Sequence, residues 1–120
     1  MGNAGSIDAS KEEEVDLSGK GLKKITFRNL DNARIVKLGL YNNQLTSLPV
    51  EIGRLNGLKW LDLGSNQLTS LPVEFGMLTC LKELDLSNNP LTTPPMEVCN
   101  EGITAIATYF LEHPTESGGL

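Results

Sequence analysis

The sequence predicts a short right-handed α/β solenoid, with a parallel sheet on its concave side and a helical cap at its C-terminal end. Two observations carry that expectation. The nine residues Asn43 to Glu51, NQLTSLPVE, recur letter for letter as Asn66 to Glu74, an offset of 23 residues. A fixed period of this size marks stacked copies of one small unit. Towards the C-terminus the apolar spacing then changes, so that Ile103, Ile106, Ala107 and Phe110 recur at intervals of three and four, the signature of one helix face.

The copies read Ile35-V-K-Leu38-G-Leu40-Y-N-Asn43-Q-Leu45, Leu58-K-W-Leu61-D-Leu63-G-S-Asn66-Q-Leu68 and Leu81-K-E-Leu84-D-Leu86-S-N-Asn89-P-Leu91. The shared pattern LxxLxLxxNxL resembles the leucine-rich repeat family, over about residues 12–112. Around Leu-x-Leu the alternation gives a short strand with its leucines inward. Asn43, Asn66 and Asn89 fall at the following turn. An amide that both donates and accepts can satisfy backbone groups there, stacked at the ~4.8 Å strand spacing. Leu48-Pro49 and Leu71-Pro72 start the return leg, and Ile52, Leu55, Phe75 and Leu78 close the convex side.

The ends depart from the template. Residues 1–11 are small and polar and read as a flexible tail. Residues 12–34 are a degraded first repeat that keeps Val15, Leu17, Leu22 and Ile25 but carries Lys20 in place of the ladder Asn, as suits an N-terminal cap. Full repeats follow at 35–57 and 58–80, and a shortened one at 81–96. A helical cap is expected at 97–112 and a frayed tail at 113–120. The N-P-L-x-x-P-P stretch running into Gly102–Leu111 resembles the closing segment of the intracellular, Ras-suppressor-like class of 23-residue repeats.

The net charge of −5 argues against a chain that grips nucleic acid, which needs a concentrated basic surface. The run Lys20, Lys23, Lys24 and Arg28 reads as a solvated flank. Cys80 and Cys99 read as reduced packing residues. Secreted members of the resembled family usually carry cysteine-rich caps, so the resemblance implies an intracellular, cytoplasmic protein. No stretch has the composition of a signal peptide or the ~20 apolar residues of a membrane span.

Catalytic chemistry is not expected. The one histidine, His113, has no second member for a nucleophile pair or a metal site, and no glycine-rich phosphate loop or cofactor motif is present. One terminal motif does carry chemistry. Met1-Gly2-Asn3-Ala4-Gly5-Ser6 fits the pattern for myristoylation of Gly2, provided Met1 is the natural initiator. A single acyl chain gives reversible membrane contact, here at the cytoplasmic face.

The repeats differ most at the exposed strand positions. These are Glu14, Lys37, Trp60 and Glu83, then Asp16, Gly39, Asp62 and Asp85, then Ser18, Tyr41, Gly64 and Ser87. Trp60, the chain's only tryptophan, is placed outward on the concave side. Two readings of it stand: an interface anchor, since Trp and Tyr are enriched at hot spots, or a ring that covers Lys37 in a cation–π pair. Asp62 and Asp85 should be adjacent, and like charges side by side on a sheet are unfavourable. A partner protein with a basic surface would relieve them. The expected binding face is Trp60, Tyr41, Asp62 and Asp85, with Lys37 and Glu83 at its rim. The expected function is a non-catalytic protein-interaction module, an adaptor or scaffold in intracellular signalling. The resemblance implies a second reading, a regulatory subunit that inhibits or targets a GTPase, kinase or phosphatase. An enzyme is the third.

Overall fold

A computed structural model describes residues 4–114. Its elements are β1 (Ala4–Asp8), β2 (Glu14–Asp16), β3 (Lys24–Arg28), β4 (Lys37–Gly39), β5 (Trp60–Asp62), β6 (Glu83–Asp85), α1 (Met96–Cys99) and α2 (Ile103–Glu112). Single 3-10 turns at Leu30–Asn32, Val50–Arg54 and Val73–Met77 make up much of the outer legs.

Each repeat contributes one short strand, and β2, β4, β5 and β6 pair in chain order as a parallel sheet. Three rows run across it: Glu14–Lys37–Trp60–Glu83, Val15–Leu38–Leu61–Leu84 and Asp16–Gly39–Asp62–Asp85. The middle row points into the core and the outer two face the concave side, as the alternation predicts. Leu38, Leu40, Leu45, Ile52, Leu58, Leu63, Leu68 and Phe75 are fully buried between the sheet and the outer legs. These features make a short solenoid of the expected class.

The strands end in the same way in each repeat. The residue before the ladder Asn (Asn42, Ser65 or Asn88) adopts a left-handed conformation, with φ of 60°, 55° and 57°, and turns the chain off the sheet. The buried Asn then closes the turn. Asn66 Oδ1 accepts from the Leu45 N–H at 3.0 Å, and its Nδ2 donates to the carbonyls of Leu40, Leu63 and Gly64. Asn89 repeats this one repeat on, and Asn43 one repeat back, where its oxygen takes both the Lys20 and Leu22 N–H groups. The ladder therefore reaches into the degraded first repeat although that repeat has no Asn of its own.

The N-terminal segment departs from the expected flexible tail. Residues 4–8 form β1, which pairs in parallel with β3 on the return leg of the first repeat. Ile7 and Ala9 are buried, at 4% and 0% exposure. A Cβ on Gly5 would lie 3.0 Å from a Leu22 methyl, so Gly5 lets β1 approach closely enough to cover the end of the core. Asp8 anchors the strand. Its Oδ1 accepts from the Ser10 N–H and Oγ, at 3.0 and 2.7 Å, and its Oδ2 pairs with Arg28 at 3.3 Å.

The Ser10 hydroxyl, with Asn29, the Ser10 N–H and Arg28, holds the Asp8 carboxyl down at about 2. A depressed folded-state value means a contribution to stability that is present above the ordinary carboxylate range and lost as pH falls through the folded value. The difference in thermal midpoint between the wild type and Asp8→Ala is therefore expected to be constant near neutrality and to vanish between about pH 4 and pH 2. A pH-independent difference would show that Asp8 acts through packing alone.

The C-terminal cap also differs from a single helix over 97–112. It is two helices broken at Gly102, whose φ of 97° suits glycine. Ile106 and Phe110 are buried and Ile103 is partly buried, while α2 lies on the Val73–Met77 turn. The approach is tight there, because a Cβ on Gly76 would be 3.2 Å from that of Ala107. His113, expected at the start of a frayed tail, stacks on Tyr109 at 4.2 Å, with Nδ1 3.0 Å from the Tyr109 carbonyl. Cys99 is buried, with its Sγ 3.4 Å from the Pro94 carbonyl, and burial pushes the thiol up to about 11. It is a packing residue; Cys80 is exposed.

Candidate functional site

The concave face is shaped by one missing side chain. In the row Asp16–Gly39–Asp62 the central residue has no Cβ, and one placed there would come within 3.0 Å of Asp16 Oδ1. The gap opens into a cleft of about 480 Å3 lined by Glu14, Val15, Asp16, Ser18, Lys37, Gly39, Tyr41, Trp60 and Asp62. Gly64 extends the relief, since a Cβ there would lie 3.3 Å from the Tyr41 ring. Tyr41 is left 47% exposed, and Trp60 is half-buried.

The structure brings together Lys37, Tyr41, Trp60 and Asp62 of the six expected residues. Lys37 Nζ sits 4.7 Å from the centre of the Trp60 ring, so in the free chain the covering arrangement exists. Lys20 and Lys37 also act on the Asp16 carboxylate, yet the face stays acidic: Glu14, Asp16 and Asp62 border the cleft, and Glu83 and Asp85 continue the same rows on β6. Glu83 and Asp85 themselves line a second cleft, which runs from Trp60 and Asp62 to residues 100–103. Glu14, Val15, Asp16, Ser18 and Gly39 complete the first cleft and were not among the six. The signal that could have found them is the register, because a Gly flanked by Asp on both neighbouring strands is readable from the 23-residue offset.

Asp62 and Asp85 are adjacent as expected, but the expectation of a purely unfavourable pair is corrected, because each carboxylate also serves the fold. Asp62 Oδ1 accepts from the Gly64 N–H at 2.9 Å. Asp85 Oδ1 accepts from the Ser87 N–H at 2.9 Å and the Ser87 hydroxyl at 2.6 Å. Asp16 does the same with the Ser18 N–H at 3.0 Å. Each carboxylate closes its own turn at the end of a strand. Hydrogen bonds from Ser87 and Ser18 lower the Asp85 and Asp16 carboxyls below the usual range, against the opposing effect of burial. Both stay charged and aimed at the concave side near neutrality, and neutralising Asp62 and Asp85 together is not expected to raise stability.

A family model described as "Leucine rich repeat" matches residues 33–91. The chain is a leucine-rich repeat protein. Among solved structures, a leucine-rich repeat protein of Leptospira interrogans is similar, with 40% sequence identity and a TM-score of 0.61 over 74% of this chain. The chain spans 23% of that protein's length. A comparison with curated proteins returned no match. Leucine-rich repeat domains generally act as non-catalytic modules that bind other proteins. The cleft of this leucine-rich repeat domain lies on its sheet, where side chains vary between repeats while the core and ladder stay constant. Among the described residues no group of three or more His, Cys, Asp or Glu side chains could hold a metal ion. No described helix is long and apolar enough to cross a membrane. Gly2 lies outside the described residues.

Proposed function

We propose that this chain is an interaction module whose concave cleft receives a cationic side chain of a protein partner. The observation that carries the reading is the gap over Gly39, set between the carboxylates of Asp16 and Asp62 and beside the rings of Trp60 and Tyr41. An arginine or lysine entering there would meet two fixed anions and an aromatic face, the combination that stabilises a partly desolvated cation. Lys37 now occupies the Trp60 ring. Its flexible stem can swing aside and let a partner's cation replace it at little cost. Trp60, Tyr41, Asp62 and Asp85 form the binding face in this reading, with Lys37 and Glu83 at the rim.

The finer assignment is an adaptor or scaffold in cytoplasmic signalling, supported by the resemblance of the closing segment to the Ras-suppressor-like class. The same face would serve a regulatory subunit acting on a GTPase, kinase or phosphatase. An activity assay on the purified complex separates the two, because an adaptor leaves the partner's turnover unchanged.

Reversible membrane tethering through a myristoylated Gly2 belongs to the same proposal. Ser6 of the motif lies in β1, where its Oγ accepts from Arg28 Nε at 3.2 Å. Acylation is thus expected before β1 docks. The intact mass from the native host should exceed the Met-removed value by one myristoyl group, and Gly2→Ala should move the protein into the soluble fraction. An unmodified mass removes the tether from the proposal.

A further inference from the structure

The sheet has an open edge at β6 that the C-terminal cap does not fill. In the interior of the solenoid, Leu40 and Asn42 donate their N–H groups to the Asp62 and Gly64 carbonyls one repeat on. Leu63 and Ser65 donate likewise to Asp85 and Ser87, at 2.8 and 2.9 Å. The next members of this series are Leu86 and Asn88, whose N–H groups have no hydrogen-bond partner among the described residues. Leu84, in the row where Leu38 and Leu61 are fully buried, is only partly covered. Beside this edge runs a cleft of about 570 Å3, closed on its far side by the α1–α2 link from Asn100 to Ile103.

We propose that this edge docks an extended basic segment of another protein as a fifth parallel strand of the sheet. The occupant follows from register and charge. Donors two residues apart match alternate carbonyls of an extended chain, and in the interior those carbonyls belong to residues whose side chains face the concave side. The docked residue that accepts from Leu86 therefore sets its side chain in the row of Asp85, the one that accepts from Asn88 in the row of Ser87, and the residue two before the first in the row of Glu83. Glu83 and Asp85 are exposed carboxylates, and Glu101 borders the same cleft. The residue between the Glu83 and Asp85 rows points inward, towards Leu84 and Ile103. The segment is thus basic, apolar, basic.

A second copy of this chain is a poor occupant. Its free edge is β2, and continuing the ladder would set Glu14 beside Glu83 and Asp16 beside Asp85. Like charges in direct register oppose that stacking and work against open-ended filaments.

The test uses the full chain and a capped peptide, Arg-Val-Arg-Val-Arg-Val, with Glu-Val-Glu-Val-Glu-Val as its counterpart. In the free protein the amides of Leu86 and Asn88 should exchange rapidly with solvent. The basic peptide should slow them at least about tenfold and shift the resonances of Leu84 and Ile103, and the acidic peptide should do neither. Glu83→Lys with Glu101→Lys, both at exposed positions, should weaken the basic peptide at least about tenfold and admit the acidic one. Tyr41→Ala, at a residue that lines the concave cleft and not the edge cleft, should leave edge binding intact, which separates the two sites.

Four results would overturn the proposal. One is no response at millimolar peptide. Another is shifts confined to Lys37, Tyr41 and Trp60. The third is protection of Leu86 and Asn88 in the free chain, which would assign the edge to residues 115–120. The last is protection that grows with protein concentration alone, which would assign it to a second copy.

Discussion

Phe75→Ala is expected to lower stability by about 3–5 kcal/mol, the largest effect of any single substitution in the core. Phe75 is fully buried in the Val73–Met77 turn, on which the C-terminal helix α2 rests. Its ring fills space that the corresponding Ile52 of the preceding repeat fills with a smaller side chain. Truncation removes the transfer free energy of the ring and leaves a cavity that a rigid strand-and-turn frame cannot collapse. The loss should appear in chemical denaturation as a lower midpoint. Phe75→Leu should recover most of it, because leucine refills the greater part of the volume. A loss below about 1 kcal/mol would mean that the cap, and not the repeat core, sets the end of the cooperative unit.

Asn66→Ala is expected to cost about 1–3 kcal/mol for a different reason, with almost no apolar area involved. The amide is buried at 6% exposure and serves one N–H and three carbonyls drawn from two consecutive repeats. Alanine leaves the Leu45 N–H unpaired out of reach of water, while the three carbonyls keep their bonds from Asn43, Asn89 and Asn42; an unsatisfied buried group costs on the order of 1–3 kcal/mol. Gln67→Ala, at the exposed neighbouring position, is the control and should stay within about 0.5 kcal/mol of the wild type. Equal midpoints for the two variants would show that the ladder contributes nothing.

Much of the fold was legible because the repeat prints the same physical demand several times. The inward leucines, the ladder amides and the return legs each recur at 23 residues, so the register of Asp16, Gly39, Asp62 and Asp85 could be set without any structure. Elements that occur once were harder. β1 alternates as a strand should, with Gly5 and Ile7 inward and Ala4 and Ser6 outward. Its first inward position is a glycine, however, which hides the apolar pattern, and its partner β3 is 20 residues away. The break at Gly102 was hidden by helical spacing on one side of it and Met96-Val98 on the other. The concave site was legible as a list of positions but not as a cavity. Sequence shows that Trp60 and Lys37 are neighbours. It does not show that the lysine lies on the ring, nor that the aspartates are held by their own turns.

The most direct measurement of the central claim is the affinity of the purified chain for its protein partner, compared between Trp60→Ala and the convex variant Met77→Ala. The partner is first identified by photo-crosslinking from position 41. Met77 is 61% exposed on the outer leg and Trp60 is half-buried on the concave sheet, outside the leucine core. Both variants should therefore keep the wild-type thermal midpoint. The concave-site account predicts that Trp60→Ala weakens binding by about 30-fold, or ~2 kcal/mol, the scale of a hot spot, and that Met77→Ala leaves it unchanged. Unchanged binding by a folded Trp60→Ala chain, with loss in Met77→Ala, would place the site on the convex side and contradict it.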